Sequence, residues 1–492
     1  MTRSPRPGRL LAATALALTL VATACSGGSD DGNGGSGGDE ASAAELPPCP
    51  LEALDGATQP VEVVVWHSYV AKTAETLQKL VDQYNASQSR VKVRLESQGN
   101  SYDELWRKYQ QAAQANDLPG IAILEDTNTE AVVDSGTVLP AQSCIDASGY
   151  DTSDLVDSAV DFYSIDGALY PGTVNLSTPL LYYNTNHFRR AGLDPADPPG
   201  TLAEVRAAAE AIKAAGVVDK PVVLNLESWF FETWMTGVGT GIVDNDNGRG
   251  AGETTAAAFD DEPMREVVTW VRDMQADGLL EAIPNTPGQI NHYLALAQQN
   301  GTMTLATSTA ATSVEAFLAG DTSVTAGAGV STEDIDLSAL AFDAGPFPGL
   351  EAPGKVQIGG GAWYITNTTP PEVQAAAWDF ISWWNRPETQ VIWHLEGSYL
   401  PFSKKAATDP EVVRSWTDDL SGRWLSVSYR QLTEGVDPTW PGPLIGPYDE
   451  FRKALEQAVD AVTLSGADPA AEITKAAQTT TAAIEAYNEE NF

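Results

Sequence analysis

Between residues 61 and 124 the chain alternates short apolar runs with amphipathic stretches, a pattern that dictates the kind of sheet it can build. Residues 61–66 (VEVVVW), 91–95 and 121–124 read as strands. Residues 72–84, with Leu77, Leu80, Val81 and Tyr84 on one face, and residues 102–115 read as helices. A β-α-β-α-β rhythm implies a parallel sheet. Ligands on such sheets sit beyond the carboxyl ends of the strands. Those ends carry Trp66-His67-Ser68, Gly99-Asn100-Ser101-Tyr102 and Glu125-Asp126, polar and aromatic groups suited to a small ligand.

Residues 178–301 look like a second α/β lobe, with a strand at 179–183 and helices at 201–215 and 263–277. A further strand at 303–306 and a strand-rich stretch at 355–366 follow, and long helices dominate from Pro370 onward. A chain of 492 residues exceeds what one hydrophobic core usually serves. Two lobes are expected, 60–174 plus 308–366 and 175–307 plus 367–492. The segment Asp244-Asn-Asp-Asn-Gly248 lacks the glycine and the final glutamate of a calcium loop and reads as a solvated turn.

At the start of the chain, Arg3, Arg6 and Arg9 precede an apolar run that ends at Cys25, the pattern of an exported protein cut before a cysteine. Ala22-Thr23-Ala24-Cys25 resembles a bacterial lipoprotein box, so residues 1–24 are the expected signal peptide and Cys25 the expected lipidation site, with a plain secretory signal as the alternative. About fifteen apolar residues are too few to span a bilayer. Residues 25–59 then form a tether rich in Gly, Ser and Asp, expected to hold the protein at the extracytoplasmic face of the membrane. Cys49 and Cys144 are left as an even pair in an oxidising compartment, candidates for a disulfide.

Composition and motifs exclude several function classes. With 28 basic against 67 acidic side chains, a net charge of −39, the chain is no nucleic-acid binder. His67, His187, His292 and His394 are scattered, with no metal-ligand spacing, so no metal or other cofactor is expected. His394 reads as packed between helices. Neither a nucleophile elbow nor a phosphate-binding glycine loop occurs. Carboxylate pairs are too numerous to nominate a hydrolytic dyad, and an enzyme reading has no support.

Local sequences then become specific. Trp66-His67-Ser68, Gly99-Asn100 followed by Tyr102, Asn175-Leu-Ser-Thr-Pro-Leu-Leu-Tyr-Tyr-Asn184, Ala191-Gly-Leu-Asp-Pro195 and Met303-Thr-Leu-Ala-Thr-Ser308 run in order. Ile358-Gly-Gly-Gly361, Tyr399-Leu-Pro401 and Tyr429-Arg-Gln431 follow. In these stretches the chain resembles the extracellular solute-binding proteins of ABC importers, and within them the glycerol-3-phosphate-binding branch. The resemblance implies a periplasmic-binding-protein-like α/β fold of type II, two lobes joined by crossover segments with the ligand between them. It implies a monomer that delivers its ligand to membrane permease subunits driven by a separate ATPase.

The resemblance also assigns ligand contacts. Tyr102 approaches from the first lobe, and Asp126 takes the polyol hydroxyls, with Glu125 in reserve. Ser177, Thr307 or Ser308 in its place, Tyr399 and the backbone N–H of Gly360 complete a phosphate shell around Arg430, the anion anchor. One departure concerns the cleft wall, where the branch often carries two tryptophans. Here the positions are Leu226 and Trp229, with Trp234 an alternative occupant. A leucine leaves room for a head group, so a phosphodiester such as glycerophosphocholine becomes a candidate ligand beside glycerol-3-phosphate. A quaternary ammonium would then face Trp66 and Trp229. The alternative is a sugar or oligosaccharide, favoured if Arg430 points to solvent and Trp66, Trp229 and Trp363 line a long groove.

Overall fold

Every second residue of the first strand, from Val61 to Val65, is buried, so one side of that strand supplies core from the outset. The structure, a computed structural model, describes residues 46–286, 288–321, 323, 335–437 and 442–491. The signal segment, Cys25 and the tether up to residue 45 lie outside the described residues.

The strands in chain order are β1 (Val61–His67), β2 (Val91–Ser97), β3 (Ile121–Glu125), β4 (Val138–Leu139), β5 (Ser164–Ile165), β6 (Ala168–Leu169) and β7 (Thr173–Ser177). They continue with β8 (Pro179–Asn184), β9 (Val222–Asn225), β10 (Leu280–Ile283), β11 (Met303–Thr307), β12 (Phe342–Pro346) and β13 (Gly359–Thr366). The first sheet runs β2-β1-β3-β13-β4, with β7 also paired to β13. β1 pairs parallel with β2 and β3, as the opening rhythm requires, and β13 is antiparallel to its neighbours. The second sheet runs β10-β9-β11-β8-β12, parallel on the β9 side and antiparallel around β8. β5 and β6 form a separate hairpin.

Helix positions follow local signals. The helix Tyr102–Ala115 starts where the Ser101 hydroxyl accepts from the Glu104 N–H. Leu202–Ala214 begins with a capping box of Thr201 and Glu204. The segment around Asp244 is a tight turn in which Asn245 and Asp246 adopt left-handed backbone angles, and the Asp244 carboxylate accepts from the N–H groups of Thr255 and Ala256.

The lobe boundaries differ from those expected. Residues 308–366 are expected in the first lobe, but β12 pairs along the edge of β8 and belongs to the second sheet. Residues 367–492 are expected in the second lobe, yet the helices Pro371–Trp384 and Pro387–Gly397 pack on β1 and on the helix Ala71–Ser87 of the first. The chain therefore crosses between lobes at Thr178, between β12 and β13, and again after Leu400. Past that point the helix Leu420–Arg430 packs on β12, and Tyr448–Ser465 packs on Glu262–Ala276 and Ser228–Gly237.

Gln431 ties the first two crossings together. Its side-chain N–H donates to Thr178 Oγ1 (2.7 Å) and the Pro179 carbonyl (2.9 Å), and its Oε1 accepts from the Phe347 N–H (2.7 Å). Thr178 also meets Ser428 Oγ at 2.8 Å. Near the start of the described residues, Cys49 and Cys144 are joined by a disulfide with Cα atoms 4.9 Å apart. Gln431→Leu, which strands these buried partners, is expected to cost about 2 kcal/mol or more in denaturant unfolding. Reducing the disulfide is expected to lower the unfolding free energy by roughly 2–5 kcal/mol, read by the same titration with and without reductant.

Candidate functional site

The carboxyl ends of the parallel strands of both sheets face one cleft, and the cleft has two compartments. The first-lobe turns after β1 and β2 supply Ser68 to Ala71 and Asn100 to Tyr102, and β3 ends at Glu125. From the second lobe come Asn225 and Glu227 after β9, the segment after β10, and Thr307 at the end of β11. One compartment, about 500 Å³, is polar and charged; the other, about 380 Å³, is aromatic and aliphatic. Asn100, Ser101, Tyr102 and Tyr293 line both.

Arg452 anchors the polar compartment. Its Nε and Nη2 donate to Glu232 at 2.8 and 3.1 Å, and its Nη1 donates to Glu125 Oε1 at 2.8 Å, so one guanidinium links its own lobe to the end of β3 in the other. Glu232 is fully buried and also accepts from Tyr448 Oη (2.9 Å) and Gln357 Nε2 (3.1 Å). Burial works against the charge on Arg452, but the carboxylates of Glu232 and Glu125 more than offset it and keep the group cationic. A chain of amides lines one wall. Gln289 donates to Asn225 (2.6 Å), Asn225 to Asn285 (3.0 Å), and Asn285 to Glu456 (2.8 Å).

Carboxylates crowd this compartment. Desolvation is the main cause that raises Glu227 to about 7; Arg452 opposes it, and neighbouring Glu125, Glu456 and Glu232 add to it. Asp449 rises to about 6, again first by desolvation and then by Glu125. His292 is pushed down to about 4 by burial and is neutral, and its Nδ1 has no hydrogen-bond partner among the described residues.

A tyrosine cluster closes the first-lobe side. Tyr102 Oη and Tyr399 Oη are 3.1 Å apart, Tyr399 stacks on Trp393, and Tyr69 receives a hydrogen bond from Asn175. Trp393 Nε1 holds the other end of that amide, donating to Asn175 Oδ1 at 2.9 Å. Gly361 makes room for the cluster, because a Cβ there would overlap Tyr102 Oη.

The family described as bacterial extracellular solute-binding protein matches residues 79–419. The chain belongs to this family. It is 27% identical over 354 residues to the sn-glycerol-3-phosphate-binding periplasmic protein UgpB of Brucella abortus, covering 70% of this chain and 75% of that one. Among solved structures, UgpB from Mycobacterium tuberculosis in complex with glycerophosphocholine superposes with a TM-score of 0.67 at 20% identity, covering 88% of this chain and 100% of that one. The GacH receptor of Streptomyces glaucescens, studied with acarbose, gives 0.69 at 19% identity, covering 87% and 98%. These superpositions establish the two-lobed periplasmic-binding-protein-like fold for the solute-binding chain.

Within that fold the expected contacts divide. Tyr102 lines both compartments, Tyr399 the apolar one and Thr307 the polar one. Asp126 does not reach the cleft; it is buried in the turn after β3, where desolvation and then the charge of Glu125 raise its carboxyl well above the usual range. Glu125, the reserve candidate, lines the compartment instead. Ser177 is buried at the end of β7, and Ser308 is buried at the crossing, where its hydroxyl faces the Thr178 N–H. Gly360 serves the sheet and lines neither compartment. Its φ of +133° and its approach to the Asn175 carbonyl, which a Cβ would overlap, allow β13 to pair with β7.

Arg430 requires correction as the anion anchor. It is exposed at the end of its helix and lines neither compartment, whereas Gln431 beside it points inward to the crossings. Arginines that do line the polar compartment are Arg107 and Arg452, and Arg452 is the one held by buried carboxylates. Leu226 is fully buried and Trp229 nearly so, packed on Gly359, and neither lines the cleft. Trp234 is buried with Nε1 donating to the Pro348 carbonyl. The tryptophan groove expected for a sugar is equally missing from these compartments: Trp363 is fully buried and Trp66 donates to Glu96.

Arg452, Glu227 and His292 escaped the sequence reading. The available signal was the spacing of Asp449, Arg452, Lys453 and Glu456, which places charges on one face of a helix that also buries Tyr448 and Phe451. Because Glu227 and Asp449 bind protons more tightly in the folded state, stability is expected to fall as pH rises from about 4 to about 7. Glu227→Gln is expected to flatten that fall, measured as the melting temperature across the pH range.

Proposed function

We propose that this chain is the lipid-anchored, extracytoplasmic solute-binding subunit of an ABC importer, and that it captures glycerol-3-phosphate or a glycerophosphodiester, with the diester preferred. The observation that carries the ligand reading is the polar compartment around Arg452 at the carboxyl ends of both sheets. A guanidinium held by Glu232 through Nε and Nη2 keeps its remaining Nη N–H donors in a fixed position for an anionic oxygen. Sequence similarity to glycerol-3-phosphate-binding relatives supports the same class.

The charge balance favours a diester over a monoester. Asp103, Glu125, Glu227, Asp449 and Glu456 line the compartment against Arg107, Arg452 and Lys453. A dianionic monoester meets more negative than positive charge there. A diester carries a single negative charge, and a choline head group such as that of glycerophosphocholine adds a positive one that the surplus carboxylates stabilise. In this reading Arg452 takes the phosphate, Glu125 and the amide wall take glycerol hydroxyls, and Tyr102, Thr307 and the unpartnered His292 nitrogen add polar contacts. The Glu125–Arg452 bond already joins the two sides of the cleft in this structure. Cys25 carries the lipid, and the separate permease and ATPase do the transport work.

Calorimetric titration of the mature protein with glycerol-3-phosphate, glycerophosphocholine and maltose tests this. The expected result is tight binding of glycerophosphocholine, weaker binding of glycerol-3-phosphate and none of maltose. Arg452→Lys keeps the charge but loses the fork and is expected to weaken phosphate binding by about tenfold or more; Arg430→Ala leaves it unchanged. Binding of maltose alone would replace this reading with a sugar receptor.

A further inference from the structure

The second compartment has the wrong chemistry for a glycerophosphate head group. Among the described residues, no charged side chain lines it. Its walls are Val70 from the first lobe with Leu294, Ala297, Val314, Phe317 and Leu318 from the second. Val70 is 54% exposed, one of three large hydrophobic side chains exposed among the described residues, and it sits on this lining. Leaving such surface in water is unfavourable by roughly 25 cal/mol per Å², so an apolar occupant would gain from covering it. The compartment adjoins the polar one, and Asn100, Ser101, Tyr102 and Tyr293 line both.

We infer that the cleft is built for an amphipathic ligand, a monoacyl glycerophosphodiester whose head group fills the polar compartment and whose acyl chain lies in the apolar one. The inference rests on the glycerophosphodiester reading and extends it to the part of the ligand beyond the glycerol. The two compartments meet at Tyr102 and Tyr293, aromatic side chains with an apolar ring and a polar hydroxyl, which suit the junction between glycerol and chain. A sugar ring would stack on the tyrosines but would leave the aliphatic wall of Val314 and Leu318 uncovered. An acyl chain covers it. No bond is made or broken, and selectivity comes from burying apolar area in a site that already holds the head group.

The test compares the affinity of the full mature protein for glycerophosphocholine with its affinity for a short-chain monoacyl derivative kept below its micelle-forming concentration. The derivative is expected to bind roughly tenfold or more tightly, since each buried methylene adds about a factor of four. Val314→Asp, on a half-exposed helix position, and Ser313→Trp, which fills the space, are each expected to bring the ratio of the two affinities toward one. If glycerophosphocholine binds and the derivative binds no more tightly, the acyl site is overturned while the glycerophosphodiester reading stands. A gain that survives both substitutions also overturns this placement, because the chain then lies elsewhere. Failure of both phosphates to bind overturns the head-group reading and this inference together.

Discussion

The buried pair of Arg452 and Glu232 is the interaction around which the cleft is organised. A carboxylate with no exposure to water is tolerated only when its oxygens are fully engaged. Glu232 meets that condition with two bonds from Arg452, one from Tyr448 and one from Gln357. The cost of separating this pair holds the guanidinium at the floor of the polar compartment. What remains of its donor set faces the cleft, where Glu125 of the other lobe reaches it. One side chain thus provides a fixed cation for a ligand and a contact between lobes.

The lobes are joined by short crossings whose polar groups are shared. Only Thr178 separates β7 in one sheet from β8 in the other. A single residue cannot bury its own backbone groups against a core, so side chains from distant segments do so. Ser308, Ser428 and Gln431 surround Thr178, and Gln431 reaches on to Phe347 near the second crossing. Hinge motion between such lobes concentrates in the few residues that absorb backbone change. Gln431 bonds to both crossings at once and so ties them to each other.

Much of this was legible in local sequence. The strands of the opening β-α-β-α-β unit, the helix Tyr102–Ala115 and the placing of Tyr102 and Glu125 at strand ends follow from periodicity, which is a property of neighbouring residues. The lobe boundaries were less legible, because β12 is assigned to its sheet by pairing with β8, a partner far away in the chain. Arg430 and Gln431 show the limit most plainly. Successive helical residues point about 100° apart, so when the glutamine turns inward to the crossings the arginine beside it is carried out to solvent. A motif that contains both residues says nothing about which one faces the ligand.

By itself the sequence determined the class of sheet, the presence of two lobes, the family, the surplus of negative charge, and the cysteine pair left in an oxidising compartment. These depend on composition, on periodicity and on short motifs read in order. Tertiary structure alone decided that Arg452 lines the cleft and Arg430 does not, that Asp126, Ser177 and Leu226 lie beneath its surface, and that the cleft divides into a polar and an apolar half. Each of those outcomes turns on which segments, hundreds of residues apart, pack against one another and so withdraw or expose a given side chain. Burial at a lobe interface is a property of the pair of lobes and has no local signature in either one.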